Sequence, residues 1–477
     1  MGHCGRSALR QSDKISRLSR RIPPLPMAKP KRKLTPAEKA AKKRRREETM
    51  VVSTLQGRRA AVEPEEVPMS NGKIYLVGLG PGDTAEMTGR ARVAIAASDV
   101  VVGYRTYVRL IADLVKDKQV IAREMAEELD RCGEAVALAQ AGQTVALVSS
   151  GDVGVFGMAG PLFELLFEQG WTPDNGIAVE VVPGVTAASS CASLVGAPLT
   201  HDFCAISLSD MLTPWPVIAR RLEAAARADF VTALYNPKSS RRPDQLREAR
   251  DLFLRHRDPQ TPVAVVRAAY RQRQDVRLTT LAEIADGEVG MLTNLIIGNS
   301  STFVRAGLMV TPRGYGLKYR LADGAARPGE TARVSLSSGL EGWRRALVET
   351  ALNEGVEAAA RALDANSSQV LDALSEAQIA PWRVVRDPAP HALLEEALGW
   401  TDARLRMSSP GGGLVDLRLA DARLQADGDS IVIDGSGWRV ALTRAALALA
   451  YRVGLPSGEG VWFQDARGET LCRVGSG

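Results

Sequence analysis

The 477-residue chain has little of what staples or metallates a fold. Its five cysteines, Cys4, Cys132, Cys191, Cys204 and Cys472, are scattered, odd in number and never spaced C-x-x-C. That argues against a disulfide framework, a zinc site or an iron–sulfur appendage, and it points to a reducing, cytoplasmic compartment. The four histidines, His3, His201, His256 and His391, form no ligand cluster, so no metal site is expected. No apolar run approaches the ~18 residues that a membrane-spanning helix needs, so a membrane is not an expected partner. The basic start of the chain lacks the apolar core and small-residue cleavage site of a secretory signal.

Charge is present but unevenly placed. Residues 1–50 hold 16 Lys and Arg against 4 Asp and Glu, while the remaining chain holds 45 against 51. The net charge of +6 therefore belongs to the tail, the body is mildly acidic, and nucleic acid is not an expected partner. Residues 1–70, with Pro23-Pro24-Leu25-Pro26 and the basic run Lys42 to Arg46, are expected to be a disordered basic tail. Met27 begins an alternative N-terminus within it.

From residue 72 short β-branched runs alternate with helical patterns, which predicts α/β layers with largely parallel sheets. Strands are expected at 73–79, 100–102, 119–122, 144–149 and 177–182, and a second set at 204–208, 230–235, 263–267, 276–279 and 294–297. Two sets of five imply two α/β lobes of about five strands each, 72–183 and 184–313, with ligands at the strand ends. Residues 314–332 read as a linker. An additional C-terminal α+β domain follows over 333–477, with helices at 340–363, 367–380 and 442–451 and a hairpin around Asp465 to Gly468. No catalytic motif stands out in it.

Three strand ends carry chemistry. The first runs into Gly78-Leu79-Gly80-Pro81-Gly82-Asp83, where glycines allow a sharp turn and close approach of a ligand. It fails the dinucleotide fingerprint, which needs glycine at Asp83, and it lacks the Gly-Lys-Ser/Thr of a P-loop. Asp83 and Glu86 form a D-x-x-E capping pattern for the next helix. The second strand end carries Ser149-Ser150-Gly151-Asp152-Val153-Gly154-Val155-Phe156-Gly157, where Asp152 suits either a ligand hydroxyl or an Asx turn. The third carries Val182-Pro183-Gly184-Val185-Thr186-Ala187-Ala188, where Thr186 suits either an N-cap or a ligand contact.

Together with Leu234-Tyr235-Asn236-Pro237 and the run Asn294 to Asn299, these loops resemble the tetrapyrrole methylase family over about residues 72–312. The stretches Gly196–Trp215, Gly103–Tyr107 and Asp229–Arg242 are similar to its precorrin-3B C(17)-methyltransferase branch. The resemblance implies two α/β lobes holding S-adenosylmethionine in a cleft, and methyl transfer to carbon 17 of precorrin-3B with ring contraction to precorrin-4. It implies cofactor contacts at Pro81, Ser150, Gly151, Asp152, Val155, Thr186, Ala187, Asn236 and Ala269. Ser150 stands where the family has the first glycine of Gly-Gly-Asp. Tyr104 stands where some uroporphyrinogen-methylating relatives have an aspartate, which disfavours that substrate.

Ring contraction requires proton transfer, for which His201, Asp210, Tyr104 and Tyr107 are candidates. The many carboxylates of the substrate would be held by Arg105, Lys238, Arg241, Arg242 and Arg271. The expected partners are a small-molecule tetrapyrrole, a second copy of the chain in a homodimer, and another pathway enzyme docking through residues 333–477. Alternatives are another precorrin or cobalt-precorrin methyltransferase and an RNA ribose methyltransferase of the same fold. The mildly acidic body and the His201–Trp215 stretch disfavour the RNA enzyme, and the failed fingerprint disfavours an NAD-dependent oxidoreductase. The absence of a cobalt-handling motif favours a metal-free substrate.

Overall fold

The computed structural model describes residues 72–476, apart from 125–126, 175, 286–287, 381, 409–412 and 456–457. The basic tail expected over 1–70, Met27 included, lies outside the described residues. Among the described residues no helix is long and apolar enough to cross a membrane.

The first lobe is a parallel sheet in the order β3-β2-β4-β1-β5, formed by β1 (Lys73–Gly78), β2 (Val100–Tyr104), β3 (Gln119–Arg123), β4 (Thr144–Ser149) and β5 (Ala178–Val182). Its helices are α1 (Gly89–Ala96), α2 (Arg105–Leu110), α3 (Glu128–Gln140) and α4 (Ala159–Glu168). Alternate residues of each strand feed opposite faces. Ile74, Leu76, Val145 and Leu147 pack with Cys132, Val136 and Leu162. Tyr75, Val77, Ala146 and Val148 pack with Ala91, Ile95 and Val108. Burial on both faces explains why the inner strands β1, β2 and β4 read as nearly continuous apolar runs, while the edge strands β3 and β5 are more exposed.

The second lobe comprises α5 (Ala187–Ser193), β6 (Gly196–Ala197), β7 (Phe203–Ser207), α6 (Trp215–Arg227), β8 (Val231–Tyr235), α7 (Gln245–Leu254), β9 (Pro262–Arg267), β10 (Asp275–Thr280), β11 (Thr293–Ile297), β12 (Phe303–Arg305) and β13 (Leu308–Val310). Its main sheet has the order β10-β9-β11-β8-β7. Here the expectation of a largely parallel sheet is corrected: only β7 and β8 pair in parallel, and the other three pairs are antiparallel. The connection from β9 to β10 spans only residues 268–274, too short for the crossover that parallel neighbours need. One face packs on α6 and α7 through Ile218, Leu222, Leu246 and Phe253. The other packs on α5 and β13 through Cys191, Val195 and Met309.

The segment after β13 holds a short helix, α8 (Tyr315–Lys318), and then α9 (Leu340–Glu354), α10 (Val356–Ala362) and α11 (Ser367–Ala377). The single helix expected over 340–363 is broken at Gly355, whose φ of 93° is outside helical space. The remaining elements are β14 (Arg383–Asp387), α12 (Pro390–Leu398), β15 (Ala403–Ser408), β16 (Leu414–Arg418), β17 (Arg423–Asp427), β18 (Ser430–Gly435), β19 (Trp438–Thr443), β20 (Leu449–Leu455), β21 (Gly458–Gln464) and β22 (Thr470–Ser476). They build an antiparallel six-stranded sheet, β14-β20-β21-β22-β15-β16, and a three-stranded one, β17-β18-β19.

The helix expected at 442–451 is corrected to the end of β19, a single 3-10 turn and the start of β20. Its Ala- and Leu-rich sequence favours a helix locally. Leu449, Tyr451 and Val453 instead point to one face of the sheet, against α9–α11, and Ala450 points to the other. That two-residue alternation, with pairing to β14 and β21 on both sides, overrides the local preference.

Candidate active site

The carboxyl ends of β1, β4 and β5 come together as three loops whose backbones touch. Gly80 and Gly151 exchange backbone hydrogen bonds of 3.1 and 2.7 Å. A Cβ at Gly184 would lie 2.1 Å from the Gly151 carbonyl oxygen, and one at Gly78 would lie 2.6 Å from the Gly184 nitrogen. Only glycine fits at these two positions. Asp83 caps the 3-10 turn Thr84–Glu86 by accepting from the Ala85 N–H, and Thr88 rather than Asp83 caps the next helix, α1.

Asp152 closes this junction. One carboxylate oxygen accepts from the Gly154 N–H at 2.7 Å, as in an Asx turn, and the other from the Gly184 N–H at 2.9 Å. Thr186 occupies the N-cap position of α5 without capping it. Its hydroxyl instead meets the Tyr235 hydroxyl at 2.7 Å, and the Ala188 N–H donates to the same Tyr235 oxygen at 2.9 Å. Tyr235 is buried at the end of β8 under Phe156, whose ring centroid lies 4.9 Å away.

All nine positions expected to contact a cofactor, Pro81, Ser150, Gly151, Asp152, Val155, Thr186, Ala187, Asn236 and Ala269, line one cleft. Tyr107, Tyr235 and Arg271 line it too. The Tyr107 phenol is pushed up by burial, an effect that nearby Arg271 opposes. Arg271 reaches back to the first lobe, its Nε donating to the Pro81 carbonyl at 2.7 Å and its Nη2 to the Ser150 hydroxyl at 2.8 Å. Tyr235 lies within the Leu234-Tyr235-Asn236-Pro237 motif, but sequence reasoning assigns it no role. Its signal was its place at a strand end, immediately before Asn236.

The other candidates are dispersed. His201 is not brought to the cleft. It precedes β7, at the opposite end of a strand that spans roughly 17 Å. Its Nδ1 accepts from the Asp202 N–H at 2.8 Å, and it lines a separate pocket with Asp229, Asn299 and Leu317. That pocket is the larger, ≈ 540 Å³ against ≈ 150 Å³, but none of the glycine loops reaches it. Tyr104, at the end of β2, packs edge-on against Tyr107 with centroids 5.0 Å apart. Asp210 accepts from Gln245 Nε2 at 2.9 Å and does not line the cleft.

Arg105, Lys238, Arg241 and Arg242 do not line the cleft either. Arg105 pairs with Glu124 at 2.9 Å on the surface. Arg242 is buried and donates to the carbonyls of Leu208 and Asn236 at 3.3 and 3.1 Å, so it supports the Asn236 turn from behind. Arg241 is exposed and Lys238 half-buried. Among the described residues no group of three or more His, Cys, Asp or Glu could hold a metal ion.

The sequence profile of the Tetrapyrrole (Corrin/Porphyrin) Methylases matches residues 73–285. A cobalt-factor III methyltransferase of Priestia megaterium is 54% identical over 250 residues, 52% of this chain and 46% of that protein. This chain therefore spans less than half of that relative's length. A probable cobalt-factor III C(17)-methyltransferase of Salmonella typhimurium is 49% identical over 244 residues, 51% of this chain and 100% of that protein. A precorrin-3B C(17)-methyltransferase of a Sinorhizobium species is 42% identical over 249 residues, 51% of this chain and 97% of that protein.

Proposed function

The chain belongs to the tetrapyrrole (corrin/porphyrin) methylases, and from that premise we propose that it transfers a methyl group from S-adenosylmethionine to carbon 17 of precorrin-3B, with ring contraction to precorrin-4, in cobalamin biosynthesis. The convergence on one cleft of nine positions from five separate chain segments carries this reading. The residues suit such a donor. Gly151, with φ 70°, has no atom outside its immediate chain neighbours closer than 3.9 Å to where a Cβ would stand, so a side chain there would fill the space a ligand needs.

When bound, the donor supplies a methyl already activated on a sulfonium, so the macrocycle carbon can attack it without a nucleophilic side chain. The protein's part is alignment and exclusion of water. The loops ending β1, β4 and β5 hold the donor side, and Tyr235 fixes Thr186 and the start of α5. Tyr107, whose proton affinity is raised further by burial and which is backed by Tyr104, is the phenol we assign to give or hold a proton during ring contraction. His201 is left out of this assignment by its position.

A second reading has a specific observation behind it. The relatives named for cobalt-factor III match at 54% and 49% identity, against 42% for the one named for precorrin-3B. The cobalt-bearing tetrapyrrole is therefore the alternative substrate, in place of the metal-free one favoured by the sequence. Separate incubations of the full chain with S-adenosylmethionine and each tetrapyrrole, followed by mass spectrometry, decide between them. Gain of one methyl by precorrin-3B alone supports the first reading, and gain by cobalt-factor III alone supports the second. Gain by neither, but by another precorrin, overturns the carbon-17 assignment and leaves a methyltransferase. The same proposal places the enzyme in the cytoplasm as a homodimer. It divides the chain at 72–183, 184–313 and 333–477, the last segment docking another pathway enzyme.

A further inference from the structure

Arg271 is the one cation among the cleft-lining residues. It sits in the tight connection between β9 and β10, where Ala268 and Tyr270 both take left-handed backbone conformations, φ 50° and 57°. Such conformations persist in non-glycine residues only where the surroundings hold them. Here Arg271 N donates to the Ala268 carbonyl at 3.0 Å, Tyr270 N to Gln274 Oε1 at 2.7 Å, and the Tyr270 hydroxyl meets Ser193 Oγ at 2.8 Å. The turn is thus built to aim the arginine across the cleft. The fit is close: a Cβ at Gly82 would lie 2.7 Å from Arg271 Cγ.

The partners of this guanidinium are all neutral. They are the Pro81 carbonyl and the Ser150 hydroxyl, the latter being the side chain that departs from the family's Gly-Gly-Asp pattern. No carboxylate among the described residues pairs with it. Asp152, the other charged group in the cleft, already accepts from two backbone amides. Burial lowers the proton affinity of Arg271, and only the nearby Tyr107 phenol opposes that. A half-buried guanidinium facing neutral acceptors alone is under-compensated, and a carboxylate is the group that matches its fork of donors.

We propose that Arg271 anchors a ligand carboxylate in this cleft, that of the methyl donor's amino-acid moiety. The inference rests on the methyl-donor reading above. Contact with Pro81 and Ser150, two positions on the donor loops, favours the donor over the acidic side chains of the tetrapyrrole as the source.

Calorimetric titration of the full chain with two probes tests it. S-adenosylhomocysteine carries the carboxylate, whereas 5′-methylthioadenosine keeps the adenosine and sulfur but lacks the amino acid. Arg271→Gln is expected to weaken S-adenosylhomocysteine by about tenfold or more and leave methylthioadenosine unchanged, with Arg271→Lys recovering part of the loss. If S-adenosylhomocysteine is unaffected but an absorbance titration with the tetrapyrrole weakens by about tenfold, the anchored carboxylate is the substrate's. Equal weakening of both adenosine probes, or no change in any titration, overturns the anchor and leaves a strap between the lobes. Wild-type protein that binds neither adenosine probe overturns the donor reading itself, and the tetrapyrrole titration then decides the anchor alone. Thermal melts of both variants separate these outcomes from a failure to fold.

Discussion

The two halves of the cleft are made differently. The first sheet contributes backbone: three loops pressed together at Gly78, Gly151 and Gly184, with Asp152 holding two amides between them. The second sheet contributes side chains that reach across, Tyr235 to Thr186 and Ala188 and Arg271 to Pro81 and Ser150. A wall of backbone tolerates almost no added atoms, whereas a wall of reaching side chains can lose one hydrogen bond at a time. Damage should therefore be abrupt on the first side and graded on the second.

The largest effect is expected from Gly184→Ala, whose Cβ must displace the Gly151 carbonyl. Overpacking here should lower stability by about 3 kcal/mol in urea denaturation and abolish S-adenosylhomocysteine binding. A folded, binding-competent variant would break the comparison. Tyr235→Phe leaves the buried Ala188 N–H without its acceptor and should lower stability by about 1–3 kcal/mol, with weaker donor binding rather than none. Asp152→Asn keeps the shape but replaces an anionic acceptor, and about 1–2 kcal/mol should be lost in the same measurement. The smallest effect is expected at His201→Ala. Being at the far end of the sheet, it should change stability by less than about 0.5 kcal/mol and leave turnover of the tetrapyrrole near wild type. Loss of turnover with unchanged folding would mean that the second pocket takes part in the reaction.

What the sequence disclosed follows the same division. Strands buried on both faces and glycine turns are local signals, so the first sheet and its three loops were legible almost residue by residue. The nine positions expected to contact a cofactor follow from motif resemblance, and their meeting in one cleft follows from strand ends that the local pattern locates. Pairing direction in the second sheet was not legible, because β11 inserts between β8 and β9 and only tertiary packing decides that. Of the five cations nominated for substrate carboxylates only Arg271 lines the cleft, because tertiary packing also decides where a long side chain points. Arg242 follows a strand end and looked free, yet its guanidinium turns inward to carbonyls. Histidine chemistry suggested His201 as a proton shuttle, but its place before a strand rather than after it puts it at the wrong end. Tyr451 shows the limit in the C-terminal region: a helix-favouring stretch became a central strand because its alternate residues are buried against α9–α11.

The most direct test is a crystal structure of the full chain soaked with S-adenosylhomocysteine. Density is expected between the Pro81, Asp152 and Thr186 loops on one side and Asn236 and Ala269 on the other. Density in the larger pocket beside His201 instead, or in neither place, would contradict the assignment of the methyl-donor site.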